Sequence, residues 1–303
     1  MNRKRSQSDD TSASGGDLFA SPAAAPADPL AGNTGVKPID GIRSGIGGWT
    51  FVPWRSNFYP DKLVQRRELE YASRQLSSIE INGTFYSAQK PATYAKWAAE
   101  TPEHFVFSLK APGRITQGGA LAKAASGAKA FIEGGLAEFG ERLGPILWQL
   151  APSRVFDRDD LAAFLDALPR TLEGRPLKHV LEVRHPGFLQ PDYLALARER
   201  RIATVFTDSD QYPSLADITG DFVYARLMGS RANIATGYPD DELDAWARRA
   251  QAWARGEDNP DLPHVAAPLA AGPAREVFVY FISAAKERNP AAAIRLLEKL
   301  GAR

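Results

Sequence analysis

HVLEVRHPGFLQPDYLALARERRIATVFTD, residues 179–208, decides how the chain folds. It opens on an apolar run, HVLEVRH (179–185), passes into an amphipathic stretch, YLALARER (193–200), and ends on a second apolar run, ATVFTD (203–208). Period-two and apolar runs mark strands, while apolar residues three and four apart mark a helix face, so this is one strand–helix–strand step. The same alternation extends both ways. Upstream lie SGIGGW (44–49), SSIEIN (77–82), FVFSLK (105–110) and PILWQL (145–150); downstream lie FVYARLMG (222–229) and EVFVYFIS (276–283), which makes eight runs. Between them fall LVQRRELEYASRQL (63–76), AFIEGGLAEFGERL (130–143), DRDDLAAFLDAL (157–168) and DELDAWARRAQAWA (241–254), all amphipathic. PAAAIRLLEKL (290–300) follows the last run, with proline where a helix starts. Eight β–α units in a domain-sized length predict an α/β fold, a single (β/α)8 TIM barrel over residues 42–303. A doubly wound open sheet is the alternative. It lacks its usual glycine-rich turn, because Gly45-Ile46-Gly47-Gly48 runs into Trp49 and Pro53 instead of a helix start.

Composition narrows the classes of function. The 303 residues are 44% hydrophobic and 24% charged, ordinary for a globular chain. A net charge of +1 requires neither a nucleic acid nor a membrane surface, although a local basic patch is compatible with it. There is no cysteine, which removes disulfides, thiolate nucleophiles, Cys-ligated zinc and iron–sulfur clusters together. No apolar run approaches the ~20 residues of a membrane span. MNRKRSQSDD at the start is basic without a following apolar signal core, so a cytoplasmic location is expected.

Residues 1 to about 40 are different material, rich in Ser, Ala, Gly, Asp and Pro. With little to bury they cannot offset the entropy of ordering, and they read as a disordered tail dispensable for folding. Their one apolar island, Leu18-Phe19, has the form of a docking peptide for a partner's groove. Chance occurrence in a tail is the plainer reading.

The chemistry is legible at the ends of the runs. Glu80 and Asn82, Lys110, Gln149, Glu182 with Arg184 and His185, Asp208, and Arg226 all stand near the final positions of apolar runs. Side chains alternate along a strand, so Glu80 shares a face with Asn82, and Glu182 with Arg184. In a barrel these faces form layers, and active sites occupy the C-terminal end. Three carboxylates (Glu80, Glu182, Asp208) and three cations (Lys110, Arg184, Arg226) are therefore expected in one cavity at that mouth. A buried lattice of ion pairs that only sets strand register is the competing explanation. Trp49, Phe51, Trp54, Phe58, Tyr59, Phe85 and Tyr86 crowd the first two loops, where rings stack on a ligand or pack the loop. Trp97, Trp148, Trp246 and Trp253 read as packing between barrel and helices. Of the four histidines only His185 is placed for catalysis, and no paired-His spacing points to zinc. Carboxylates alone leave a divalent magnesium or manganese site open, and no cofactor is required.

In order along residues 42–303, the chain resembles the family known as domain of unknown function 72, or YecE-like. The matching residues are Gly48-Trp49 with Trp54 and Phe58-Tyr59-Pro60, then Glu80-Ile81-Asn82 with Thr84-Phe85-Tyr86, Trp97 with Thr101-Pro102, and Phe107 with Lys110. Leu143-Gly144-Pro145, Gln149-Leu150, Glu182-Val183-Arg184-His185, Asp208 and Tyr224-Ala225-Arg226 follow. The resemblance implies a TIM barrel and no assigned activity. Departures fall at the mouth. Met228-Gly229 stands where the family has His-Gly, Ile282-Ser283-Ala284 where it has an Asn-Asn pair, Ile115-Thr116-Gln117 where it has Ile-Thr-His, and Phe188 where it has Trp.

These residues point first to an enzyme, a hydrolase, isomerase or lyase, acting on an anionic small molecule or polymer. Lys110, Arg184 and Arg226 would hold a phosphate or carboxylate, with Trp49, Asn82, Tyr86 and Gln149 completing the binding surface. Glu80, Glu182 or Asp208, with His185, would serve as acid and base, and Lys110 as a Schiff-base nucleophile is a variant. A nucleic-acid-binding, repair-associated or nuclease-like protein is the second reading, with weaker electrostatic support. A glycosidase fits poorly, because cations sit among its carboxylates.

Overall fold

The computed structural model describes residues 28–302; residues 1–27 and Arg303, and with them the Leu18-Phe19 pair, lie outside the described residues. Eight strands, β1 (Ile42–Gly47), β2 (Ser78–Ile81), β3 (Val106–Lys110), β4 (Leu143–Gln149), β5 (His179–Glu182), β6 (Ala203–Thr207), β7 (Phe222–Leu227) and β8 (Glu276–Phe281), pair in sequence order. Every neighbouring pair is parallel, and β1 closes the ring against β8. The expected parallel barrel is the fold. Around it stand α1 (Glu68–Gln75), α2 (Pro91–Ala99), α3 (Leu121–Glu133), α4 (Arg158–Ala167), α5 (Pro191–Glu199), α6 (Asp240–Ala254) and α7 (Asn289–Lys299). Proline occupies the first turn of α2, α5 and α7, where its missing N–H costs no hydrogen bond. Among the described residues no helix is long and apolar enough to cross a membrane.

Three features depart from the simple repeat. Residues 208–221, between β6 and β7, form a loop with no helix. That loop is held instead by the segment before β8, where the amides of Val265 and Ala266 donate to the Asp217 carboxylate at 2.8 and 3.0 Å. The helix expected over 130–143 ends at Glu133, because Gly134 and Gly135 follow and Gly135 adopts φ +133°. A 3-10 segment, Leu136–Arg142, then leads directly into β4. The tail is also shorter than expected. Val36 is buried in the core, and Ile39 pairs with Ile42 across a β-bridge, so residues 33–40 belong with the barrel. Two apolar side chains in a Gly- and Pro-rich segment suffice to dock it.

Alternation sorts the strand residues into two layers. Outward side chains meet the helices, as Trp148 meets Phe164 and Trp253 meets Phe206. Inward ones fill the barrel with an apolar set toward the strand N-termini (Val106, Val180, Phe222, Phe278) and then hydroxyls. Tyr280 crosses this middle level to reach Ser78 at 2.5 Å and Ser108 at 2.9 Å. Room for its ring comes from Gly45, where a Cβ would lie 2.0 Å from the Ser78 carbonyl and 3.3 Å from Tyr280. Above the hydroxyls come the charges. Gly45→Ala is expected to cost about 1–3 kcal/mol through overpacking. Gly118→Ala, with nothing within 4 Å, should stay within about 0.5 kcal/mol. Urea denaturation of the two variants against wild type checks this, and equal losses would mean that β1 and β2 can separate to admit a methyl group.

Candidate active site

Arg226, near the C-terminal end of β7, is buried at the centre of the upper layer. Its Nε and Nη2 donate to the two oxygens of Glu80 on β2, both at 3.0 Å, and its Nη1 donates to Glu182 Oε2 on β5 at 2.5 Å. Tyr224, two residues earlier on the same strand face, donates to Glu80 Oε2 at 2.7 Å. Glu182 is saturated too: Gln149 Nε2 donates at 2.7 Å, and Arg184 donates from Nε at 2.8 Å and lies 2.7 Å away through Nη2. Burial by itself pushes the Glu182 carboxyl up. Arg226, Arg184 and Gln149 outweigh it and hold the group below the ordinary carboxylate range. Every oxygen of both glutamates is thus engaged by a donor.

Above this floor opens a pocket of about 330 Å³, lined by Gly47, Asn82, Phe85, Tyr86, Lys110, Gln149, Arg184, Arg226, Ile282, Ser283, Lys286 and Asn289. Four of these residues carry cationic side chains (Lys110, Arg184, Arg226, Lys286), and none is a carboxylate. Arg184 lies over the Tyr212 ring at 4.0 Å as well as on Glu182. Lys110, the last residue of β3, has its Nζ 4.0 Å from the Phe85 ring centroid and makes no ion pair among the described residues. Phe85 is pressed there by Gly113, where even a Cβ would come within 2.7 Å of the ring. Burial, reinforced by the Arg226 charge, pushes the Lys110 amine down to about 8.

Lys286 enters from the other rim. Its Nζ is 4.5 Å from the Phe51 ring and 5.4 Å from Trp54, and burial lowers its pKa. The turn that delivers it is strained, with Ser283 at φ +58° and Ala284 at φ +44° in a region that side chains with a Cβ rarely adopt. Asn289 holds the turn by donating to the Ser283 carbonyl at 3.2 Å, and Trp54 Nε1 donates to the Lys286 carbonyl at 2.9 Å.

Of the site residues expected from sequence, Asn82, Tyr86, Lys110, Gln149, Arg184 and Arg226 line this pocket, with Glu80 and Glu182 beneath it. Three others lie apart. Asp208 follows Thr207, which pairs with Arg226 on the inward face, so Asp208 turns outward by parity. It accepts from the Met228 amide and from Tyr238 Oη at 2.9 Å beside a different cavity, and burial raises its pKa. His185, one residue past inward Arg184, caps the short 3-10 turn Pro186–Phe188 by accepting from the Gly187 amide at 3.0 Å. Trp49 is swung out by Gly48 at φ +75° and packs edge-on against Trp97, 4.9 Å between centroids. One cavity gathering all three carboxylates is therefore not what the barrel builds. Phe85 and Lys286 were missed as site residues. Both come from short helical turns after strands, Gly83–Tyr86 and Lys286–Arg288, where no strand parity marks them, although Phe85 stood in the aromatic cluster of the second loop. At the family departures, Ile282 lines the pocket and Gln117 donates to the Gln149 carbonyl at 2.6 Å. Among the described residues no group of three His, Asp or Glu side chains is placed to share a metal ion.

A parallel eight-stranded barrel with a charged pocket at the C-terminal ends of its strands is the TIM-barrel class. Residues 43–303 match the family described as protein of unknown function DUF72, and the chain belongs to that family. A DUF72 family protein from Thermotoga maritima superposes with a TM-score of 0.65 at 19% identity, covering 86% of this chain and 99% of that one. Another from Enterococcus faecalis V583 gives 0.61 at 17% identity, with 86% and 95% covered. The UPF0759 protein YunF of Bacillus subtilis (strain 168) is 33% identical over 70 residues, 23% of this chain. That match spans 24% of the relative's own length.

The depressed Glu182 carboxyl has a measurable sign. A carboxylate whose folded pKa lies below its unfolded value stabilises fully above the unfolded value, about 4.3, and loses that contribution as pH falls through the folded one. Glu182→Gln should cost about 3 kcal/mol at neutral pH, the low end for a broken buried pair, because Glu80 still partners Arg226. In urea titrations at several pH values, the wild-type advantage should hold down to about pH 4.3 and shrink below it. An advantage already fading between pH 7 and pH 5 would show that Glu182 is not held ionised by the arginines.

Proposed function

We propose that the mouth of the barrel binds a small phosphate- or carboxylate-bearing molecule and presents to it the amine of Lys110 for proton transfer. One observation carries the reading: the pocket lining holds four cations and no carboxylate, while the glutamates that balance Arg226 lie below it. An anion entering this space meets uncompensated positive charge in a setting where water is partly excluded, and Arg184 and Lys286 offer donors from opposite rims. Lys110 has no carboxylate partner among the described residues, and with its pKa pushed down to about 8 a useful fraction of it is neutral at physiological pH.

This assigns the carboxylates a different part from the acid–base role their positions favour. Glu80 and Glu182 act as counter-charges that orient Arg226 and Arg184, since the oxygens of both are occupied by the arginines, and the lowered pKa of Glu182 makes it a poor acid and a weak base. A nucleic-acid partner is less well supported. The cations converge on a pocket of about 330 Å³, the size of one small molecule, and do not spread along a groove.

Inorganic phosphate is the simplest probe. At ten times its Kd it would contribute about 1.4 kcal/mol, which for a domain of this size is a rise of about 3 °C in Tm. Matched ionic strength in chloride should give no comparable rise. Lys286→Ala, which breaks no ion pair among the described residues, should fold normally and lose most of the phosphate effect. A Tm indifferent to phosphate and to pyruvate in the wild type would leave the pocket without an anion to bind.

A further inference from the structure

Resting on the anion-binding reading, we infer that the substrate class is a short aldehyde or ketone carrying a phosphate or carboxylate, and that Lys110 Nζ bonds covalently to its carbonyl carbon. Geometry makes the case. The amine stands on the end of a barrel strand, whose backbone is fixed by Thr84 Oγ1 donating to the Lys110 carbonyl at 2.7 Å and by the Ala111 amide donating to Leu147 at 2.9 Å. Its side chain lies against the face of Phe85 and makes no hydrogen bond among the described residues, so no partner occupies the nitrogen. A lysine retained only to balance charge would be expected on a carboxylate, and both nearby glutamates are already taken by arginines. The ring face stabilises the ammonium and, later, the iminium, while excluding water from one side.

The pocket also fits a bifunctional ligand. Arg184 and Lys286 can hold the anionic group, and Asn82, Gln149 and Ser283 supply neutral polar groups around the remaining space. A compact ligand whose anionic group is held by Arg184 and Lys286 then has its electrophilic carbon directed to Lys110, the lining lysine carried on a strand end. Arginine cannot play this part, since its guanidinium stays protonated.

The step balances on the residue's own protons. Lys110 first gives up one proton to solvent, and the freed lone pair attacks the carbonyl carbon as the C=O π pair moves to oxygen. A proton from solvent and the second proton from nitrogen bring the oxygen to water, which leaves as the nitrogen lone pair forms the C=N bond. Net, an ammonium and a carbonyl give an iminium and one water, with no oxidant, reductant or metal consumed. The iminium then draws electrons from the adjacent carbon.

Borohydride trapping tests the assignment on the full chain. Glycolaldehyde phosphate and pyruvate serve as phosphate and carboxylate arms, glycolaldehyde as the neutral control, each with sodium borohydride and peptide mass mapping. We expect reductive attachment at Lys110 at least tenfold faster with one or both anionic carbonyls than with glycolaldehyde, and slowed by added inorganic phosphate. Whichever arm is faster identifies the anionic group. Lys110→Arg, which keeps the charge and bulk, should show no attachment at that position while its circular dichroism and urea unfolding match those of a folded barrel. Attachment scattered over surface lysines, or none at Lys110 while phosphate still stabilises the wild type, overturns the covalent step and leaves anion binding standing. Equal rates for neutral and anionic carbonyls overturn the substrate class. Loss of both trapping and the phosphate effect in the wild type defeats the anion-binding reading with it.

Discussion

Arg226 between two buried glutamates is the constraint on which the upper half of the barrel depends. A guanidinium removed from water loses hydration worth several kcal/mol, and only full pairing makes the position tolerable. Here the pairing is nearly complete, with Glu80 engaged in a two-pronged fork and Glu182 accepting the third donor. The arrangement links β2, β5 and β7 across the interior. Tyr224 and Gln149 add a further donor to each glutamate, so every carboxylate oxygen already accepts at least one hydrogen bond within the protein.

From that saturation follows the character of the space above. Once the two carboxylates are committed to Arg226 and Arg184, the surplus of positive charge in the lining falls on Lys110 and Lys286. The lysines differ from the arginines in kind. Each arginine has a fixed partner, whereas both lysines lie against aromatic faces that desolvate them without accepting a hydrogen bond. Aromatic contact keeps an ammonium in place while leaving its proton labile, a combination that a salt bridge does not allow. The strained Ser283-Ala284 turn fits this picture, since it holds Lys286 over the pocket at a conformational cost.

How much of this could be read from residues alone depends on whether a strand carried the information. Glu80, Lys110, Gln149, Glu182, Arg184 and Arg226 end apolar runs, and alternation within a strand sends them inward, so the layer was legible. The same rule, applied one residue further, would have turned Asp208 and His185 outward, since Thr207 and Arg184 already occupy the inward positions. Trp49 escaped because its placement depends on the left-handed turn at Gly48, a backbone property that spacing does not reveal. Phe85 and Lys286 arrive on single helical turns, too short for a period to be counted, where three-dimensional contact decides. After β6 the repeat omits its helix, because residues 208–221 hold too little periodic apolar character to form one. Val36 and Ile39 show that two apolar residues are enough to draw a Pro- and Gly-rich segment onto a barrel.

The Glu80–Arg226 fork has a further consequence for how the chain assembles. Its members are 146 residues apart, and β1 and β8 stand between their strands around the ring. No local folding unit contains both, so the fork can form only after a very long loop has been closed. A partial barrel without β2 would carry Arg226 on its inner face with Glu80 absent, and would gain little by expelling water there. Ring closure and burial of the charged layer are thereby tied into one cooperative event. Contacts that require the closed ring weigh on the unfolding rate to the extent that they are absent from the folding transition state.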